Sequence, residues 1–100
     1  MYDLKKLEKF KALSELAPDA FEGFARFDEA AFQSGAIPVK YKELMAVAAA
    51  LTTQCPYCIE VHANKARRAG ATERELAETA LVAAAIRAGG AVAHGTHALE

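Results

Sequence analysis

Apolar positions recur along this chain with helical spacing almost throughout. Leu4, Leu7, Phe10, Leu13 and Leu16 fall at intervals of three, which puts them on one face of a helix. Proline pushes the residue before it out of the helical conformation, so this first helix is predicted to end near Ala17, ahead of Pro18. A second helix follows, with Asp19 as a first-turn acid and Phe21, Phe24, Phe27 and Phe32 as an aromatic stripe. We read the stripe as core packing. The helix is expected to stop near Ser34-Gly35, with Gly35 as a left-handed cap.

Pro38 opens a third helix, where its missing N–H costs nothing. That helix passes through Glu43 into an uninterrupted apolar run from Leu44 to Leu51, so it should be central. Thr52-Thr53-Gln54 interrupts it as a turn or cap. A fourth helix is predicted from about Cys55-Pro56 to Gly70. Thr72 and Glu75 form a capping box. They start a fifth helix expected to reach Ala88 and to end or kink at Gly89-Gly90, with a short terminal helix carrying His94 and His97. No strand-like alternation and no hairpin turn appears. The expectation is an all-α, Ala-rich bundle of five to six helices, one domain over residues 1–100.

Composition sharpens that picture. Ala fills 24 of the 100 positions and Trp none. Ala favours helix and lets helix backbones approach closely. A chain this short gains much from burying surface against another copy, so the bundle is expected to be completed by oligomerisation. The net charge of -1 argues against nucleic acid as a partner, since that needs a basic patch. Lys5, Lys6, Lys9 and Lys11 are interleaved with Asp3, Glu8 and Glu15, which reads as a solvated helix face. The N-terminus lacks the apolar core of a secretory signal, and the longest apolar run is far short of a membrane span. A cytoplasmic protein with no membrane partner is expected.

In a reducing compartment two closely spaced cysteines point to catalysis or metal binding rather than to a structural staple. Cys55-Pro56-Tyr57-Cys58 places two sulfurs about one turn apart on one helical face, close enough to bond. The start of a helix offers unpaired N–H groups and positive dipole charge, which stabilise a thiolate. His62 lies four residues beyond Cys58, one turn further along the same face, where an imidazole can take the thiol proton. Glu43 is singled out by geometry. If the third and fourth helices fold back about Thr53, residue 43 comes opposite residues 62 and 63. A carboxylate there would fix the imidazole tautomer. Tyr57 either lines the site or packs. Three candidate zinc ligands share that face (Cys55, Cys58 and His62), with His94, His97 or Glu43 as a fourth. A zinc-binding or redox-sensing module therefore stands as the alternative, and a scaffold with incidental cysteines as a third reading. Lys65, Arg67 and Arg68 complement the dipole at the end of the fourth helix, and His94 and His97 are expected to be solvent-exposed.

The spacing Glu43, eleven residues, Cys55, two residues, Cys58, three residues, His62 resembles the signature of alkylhydroperoxidase D-like proteins of the carboxymuconolactone decarboxylase family. The Ala-rich segment before Cys55, the passage Ala66-Arg67-Arg68-Ala69-Gly70-Ala71-Thr72 and the ending Arg87-Ala88-Gly89-Gly90 look like that family too. The resemblance covers roughly residues 20 to 97. It implies an all-helical fold assembled into homo-oligomers, commonly trimers or hexamers. It also implies a thiol-dependent peroxidase or disulfide reductase with no cofactor and no resident metal. Its substrate would be a hydroperoxide, its reductant a dithiol of the dihydrolipoamide type, and a peroxiredoxin a further partner. The family roles fall on Cys58 as attacking thiol, Cys55 as its disulfide partner, and His62 with Glu43 as proton relay. The full-length family enzyme carries a histidine between its cysteines, next to the second; here that position is Tyr57. The decarboxylase branch lacks the cysteine pair, so lactone decarboxylation is not expected.

Overall fold

The computed structural model describes residues 9–100; the predicted positions Leu4 and Leu7 and the lysines 5 and 6 lie outside it. Five α-helices follow in order: α1 Phe10–Leu16, α2 Pro18–Phe32, α3 Val39–Thr53, α4 Pro56–Arg68 and α5 Glu73–Gly95, with a closing 3-10 turn at Thr96–Ala98. Among the described residues there is no strand, so the fold is all-α as expected.

α3 is the central element. It packs along both α4 and α5, whereas α1 packs on α2, and α2 meets α3 only lightly. The core follows from composition. Val47 and Ala50 of α3, Ala66 of α4, Ala71 of the following loop and Ala83 of α5 are its buried apolar residues. Small side chains let these axes approach closely, and a methylene added at fully buried Ala66 would have nowhere to go.

Two tight reversals set the α3–α4–α5 geometry. At the end of α3, Gln54 adopts a left-handed conformation, φ 59° and ψ 49°. The Cys55 N–H then reaches back to the Ala50 carbonyl. The helix stops at Thr53, within the expected Thr52-Thr53-Gln54 interruption, and the Thr52 and Thr53 hydroxyls donate to the carbonyls of its last turn. At the end of α4, Gly70 takes φ 101°, and Gly70 and Ala71 donate to Arg67 and Ala66. This is a Schellman closure, which glycine makes without steric cost. The predicted capping box opens α5: Glu75 N–H donates to Thr72 Oγ1 at 3.0 Å, and Thr72 N–H donates to a Glu75 carboxylate oxygen at 2.9 Å. Lys40 of α3 donates to the other Glu75 oxygen at 3.0 Å, tying α3 to the start of α5. The Thr72 N–H foremost, then Lys40, hold the Glu75 carboxyl below its ordinary range, and Glu75 in turn raises Lys40.

Three expectations are corrected. Gly35 is not a left-handed cap. The chain leaves α2 at Gln33 in an extended conformation, and Lys42 of α3 donates to the Ala31 and Gln33 carbonyls at that helix end. Of the two outcomes expected at Gly89-Gly90, an end or a kink, the end does not occur: α5 runs through both glycines to Gly95 and no separate terminal α-helix follows. Each added residue brings one hydrogen bond, and the flanking alanines offset the glycine penalty. The aromatic stripe is not one core face. Phe21 packs edgewise on Phe10, ring centroids 6.1 Å apart, while Phe24 and Phe27 are 58% and 71% exposed.

The single chain is elongated. Its radius of gyration is 16.6 Å, against about 13 Å for an ordinary globule of this length. Much apolar surface is left uncovered along the chain, including on α5, where Leu81, Val82, Ile86 and Val92 are each more than 60% exposed. By length and composition alone, Glu73–Ala98 is a segment long and apolar enough to cross a membrane. Against that reading, α3 packs along it, and Arg87 lies within it.

Candidate active site

The turn at Gln54 delivers Cys55 in an extended conformation, φ -101° and ψ 95°, as the N-cap residue of α4. Pro56 at the first helical position holds the helix start. Cys55 Sγ accepts the Cys58 backbone N–H at 3.3 Å. The two cysteines are joined as a disulfide, with Cα atoms 5.3 Å apart. The two sulfurs are therefore not equivalent: Cys55 Sγ sits on the helix N-terminus, where N–H groups and the dipole favour negative charge, and Cys58 borders a cavity.

That cavity has a volume of about 280 Å³. Tyr57, Cys58, Val61, His62 and Lys65 line one side and Phe10, Phe24 and Asp28 the other. Cys58 and His62 thus open onto the same space, one helical turn apart. Tyr57 is resolved as a lining residue. Lys65 is also there, a role beyond complementing the helix dipole, whereas Arg67 serves the surface by pairing with Glu73 at 2.6 Å. Phe24, exposed as a core residue, is a cavity wall.

The fold-back about the α3–α4 turn brings Glu43 to His62 as the residue count requires. Glu43 is 4% exposed, the one buried charged residue among those described. Its Oε1 lies 2.6 Å from His62 Nδ1. A carboxylate only accepts, so the imidazole donates from Nδ1, leaving the Nε2 lone pair as its proton acceptor. Burial strengthens that bond, since little water competes for either partner. No buried side-chain nitrogen or oxygen lacks a partner among the described residues.

One neighbour was not legible in the sequence. Phe32 stacks face to face on His62, centroids 4.9 Å apart and planes 11° from parallel. No group of three or more His, Cys, Asp or Glu among the described residues is arranged to hold a metal ion. His94 and His97, the suggested further ligands, are exposed and contact each other edge to face at 5.8 Å.

An all-helical chain with a bonded C-x-x-C at a helix start and a carboxylate-held imidazole one turn on defines a class, and comparison with known proteins places it. The chain belongs to the carboxymuconolactone decarboxylase family, whose profile matches residues 18–100. It is 46% identical over 78 residues to an uncharacterised protein encoded in the cox locus of Paracoccus denitrificans, covering 78% of this chain and 70% of that one. An uncharacterised protein of Cupriavidus necator is 40% identical over 70 residues, covering 70% of this chain and 62% of its own length. A crystal structure from Methanobacterium thermoautotrophicum superposes with a TM-score of 0.83 at 39% identity, covering 88% of this chain and 99% of that one. A carboxymuconolactone decarboxylase family protein of Legionella pneumophila gives 0.72 at 36% identity, covering 82% and 70%.

Proposed function

We propose that the protein is a thiol-dependent peroxidase of the alkylhydroperoxidase type that cycles Cys55 and Cys58 between dithiol and disulfide. The observation that carries this is the juxtaposition of a bonded cysteine pair with an imidazole held by a buried carboxylate at 2.6 Å. In the reduced protein, His62 Nε2 takes the Cys58 proton. The thiolate attacks the terminal oxygen of a hydroperoxide, the O–O bond breaks, and the alcohol leaves with the proton from His62. Cys58 is then a sulfenic acid. Cys55 attacks its sulfur, water is released and the disulfide forms. The two electrons come from the cysteine pair.

A dithiol restores the pair. One donor sulfur attacks Cys58, and Cys55 leaves as a thiolate stabilised by the Cys58 N–H. The second donor sulfur then attacks the first, forming the donor's own disulfide and freeing Cys58. A dihydrolipoamide-type donor fits this sequence, and a peroxiredoxin is a further candidate recipient of the electrons. The exposed apolar face of α5 supports homo-oligomers as the working form.

The test uses reduced protein mixed with tert-butyl hydroperoxide, quenched in acid, and mass-tagged for free thiols. Two tags should be lost together, with disulfide confirmed by peptide mass. Cys58→Ser and Cys55→Ser should each abolish turnover, and His62→Ala should slow it. Full peroxidase activity in the double cysteine variant would rule the mechanism out.

A further inference from the structure

A proton acceptor works only when its imidazole is aimed. A single hydrogen bond from Nδ1 fixes one edge of the His62 ring but lets the ring swing about the bond. The missing constraint is a face contact, and Phe32 supplies it, stacked at 4.9 Å and nearly parallel. Phe32 is the last residue of α2. α2 belongs mainly to the α1–α2 pair and touches the rest of the fold lightly, so the ring is only as well placed as the end of α2 is anchored. That anchor is Lys42, whose Nζ donates to the Ala31 and Gln33 carbonyls on either side of Phe32. Lys42 is the neighbour of Glu43 in α3. One short piece of α3 therefore grips both partners of the histidine: Glu43 the imidazole edge, Lys42 the helix end that carries the ring over its face.

We propose that Phe32 is a positioning residue for His62, latched in place by Lys42, and that this latch sets the orientation of Nε2 relative to the cavity that His62 shares with Cys58. The proposal rests on His62 acting as the proton acceptor. Phe32 is not among the residues that line the Cys58 cavity, so it acts through the orientation of the imidazole. Misorientation of a proton acceptor is costly to rate even when the protein stays folded.

The test compares Phe32→Leu, which keeps an apolar side chain but removes the aromatic face, with Phe32→Tyr, which keeps the face. Two quantities are read on each reduced protein. One is the rate constant for oxidation by tert-butyl hydroperoxide. The other is the NMR chemical shift of the His62 ring protons, assigned by their loss in His62→Ala among the three histidines of the chain. A stacked phenyl shields those protons by its ring current. Phe32→Leu should slow oxidation about tenfold and move the His62 protons downfield. Phe32→Tyr should keep both near wild type. Lys42→Met, which releases the helix end and leaves the ring itself unchanged, should act in the same direction as Phe32→Leu and carries the test if that variant does not fold. Wild-type oxidation in Phe32→Leu or in Lys42→Met overturns the proposal, as does a lost rate with unmoved His62 resonances. If His62→Ala oxidises at the wild-type rate, the relay reading itself fails. If His62→Ala is slow while Phe32→Leu is not, only the positioning role fails.

Discussion

Replacing Glu43 by Gln probes the proposed relay at its buried carboxylate, 4% exposed. The substitution preserves shape and hydrogen-bonding capacity but removes the charge facing His62 Nδ1 across 2.6 Å. A hydrogen bond to a charged group is worth about 1.5–3 kcal/mol and a neutral one about 0.5–1.5 kcal/mol, so the exchange weakens the bond by roughly 1–1.5 kcal/mol. Glu43 is only 4% exposed, so solvent cannot make up the difference. In the proposed mechanism His62 gains positive charge as it takes the Cys58 proton, so the loss would fall on the transition state. At about 1.4 kcal/mol per factor of ten, thiol oxidation in Glu43→Gln should be about tenfold slower. The loss grows further if the new amide turns its NH2 toward Nδ1 and imposes the wrong tautomer. The chain has no Trp, so an acid-quench mass-tag assay of the two thiols is preferable to intrinsic fluorescence. Glu43→Leu should also destabilise the fold, by about 1–3 kcal/mol, because it strands a hydrogen-bonding nitrogen in a low-dielectric site. Thiol oxidation in Glu43→Gln at the wild-type rate, with the fold intact by circular dichroism, would refute the role given to the carboxylate.

Further outcomes are expected elsewhere in the fold. Thr72→Ala removes one half of the α5 capping box and should cost about 1 kcal/mol, seen as a fall of roughly 5 °C in Tm by calorimetry; an unchanged Tm would show the cap to be energetically idle. The folded-state pKa of Glu75 is depressed, chiefly by the Thr72 N–H, so its contribution is present above the unfolded carboxylate value of about 4.3 and fades as pH falls through the lower folded value. Glu75→Gln should therefore flatten the loss of Tm below about pH 4.3, and an acid limb as steep as wild type would contradict this. Ile86 is 70% exposed on α5, and burying such a side chain is worth about 2 kcal/mol. Light scattering on eluting protein should find wild type oligomeric and Ile86→Glu dissociated with helix content retained; a monomeric wild type at working concentrations would show that this face is not an interface between copies.

Local rules carried most of the helix assignment. Spacing of apolar positions, the break before Pro18, Pro56 at a helix start, the Thr72–Glu75 box and the stop at Gly70 all act within a few residues. The C-x-x-C, His62 and even Glu43 were legible for the same reason: the first three share one helix face, and a tight reversal between two helices makes the fourth a matter of counting residues. The rules failed where a distant partner replaced a local one. Gly35 was unnecessary as a cap because Lys42, nine residues beyond Gln33, reached back to the carbonyls at the end of α2. At Gly89-Gly90 the glycine penalty predicts an end or a kink, yet α5 continues through both residues.

The aromatic stripe marks the boundary between the two kinds of information. Periodicity put Phe21, Phe24, Phe27 and Phe32 on a helix but said nothing of what that helix would face. Tertiary structure gave them different fates: Phe21 against Phe10, Phe24 as a cavity wall, Phe27 to solvent and Phe32 onto the imidazole. The amino-acid order determined by itself which segments are helices and which residues can carry redox chemistry, because both depend on short-range hydrogen bonding and fixed helical pitch. Where the α1–α2 pair lies against α3 and α4, and hence what walls the cavity and stacks on His62, was decided only in three dimensions, by contacts between residues far apart in the chain.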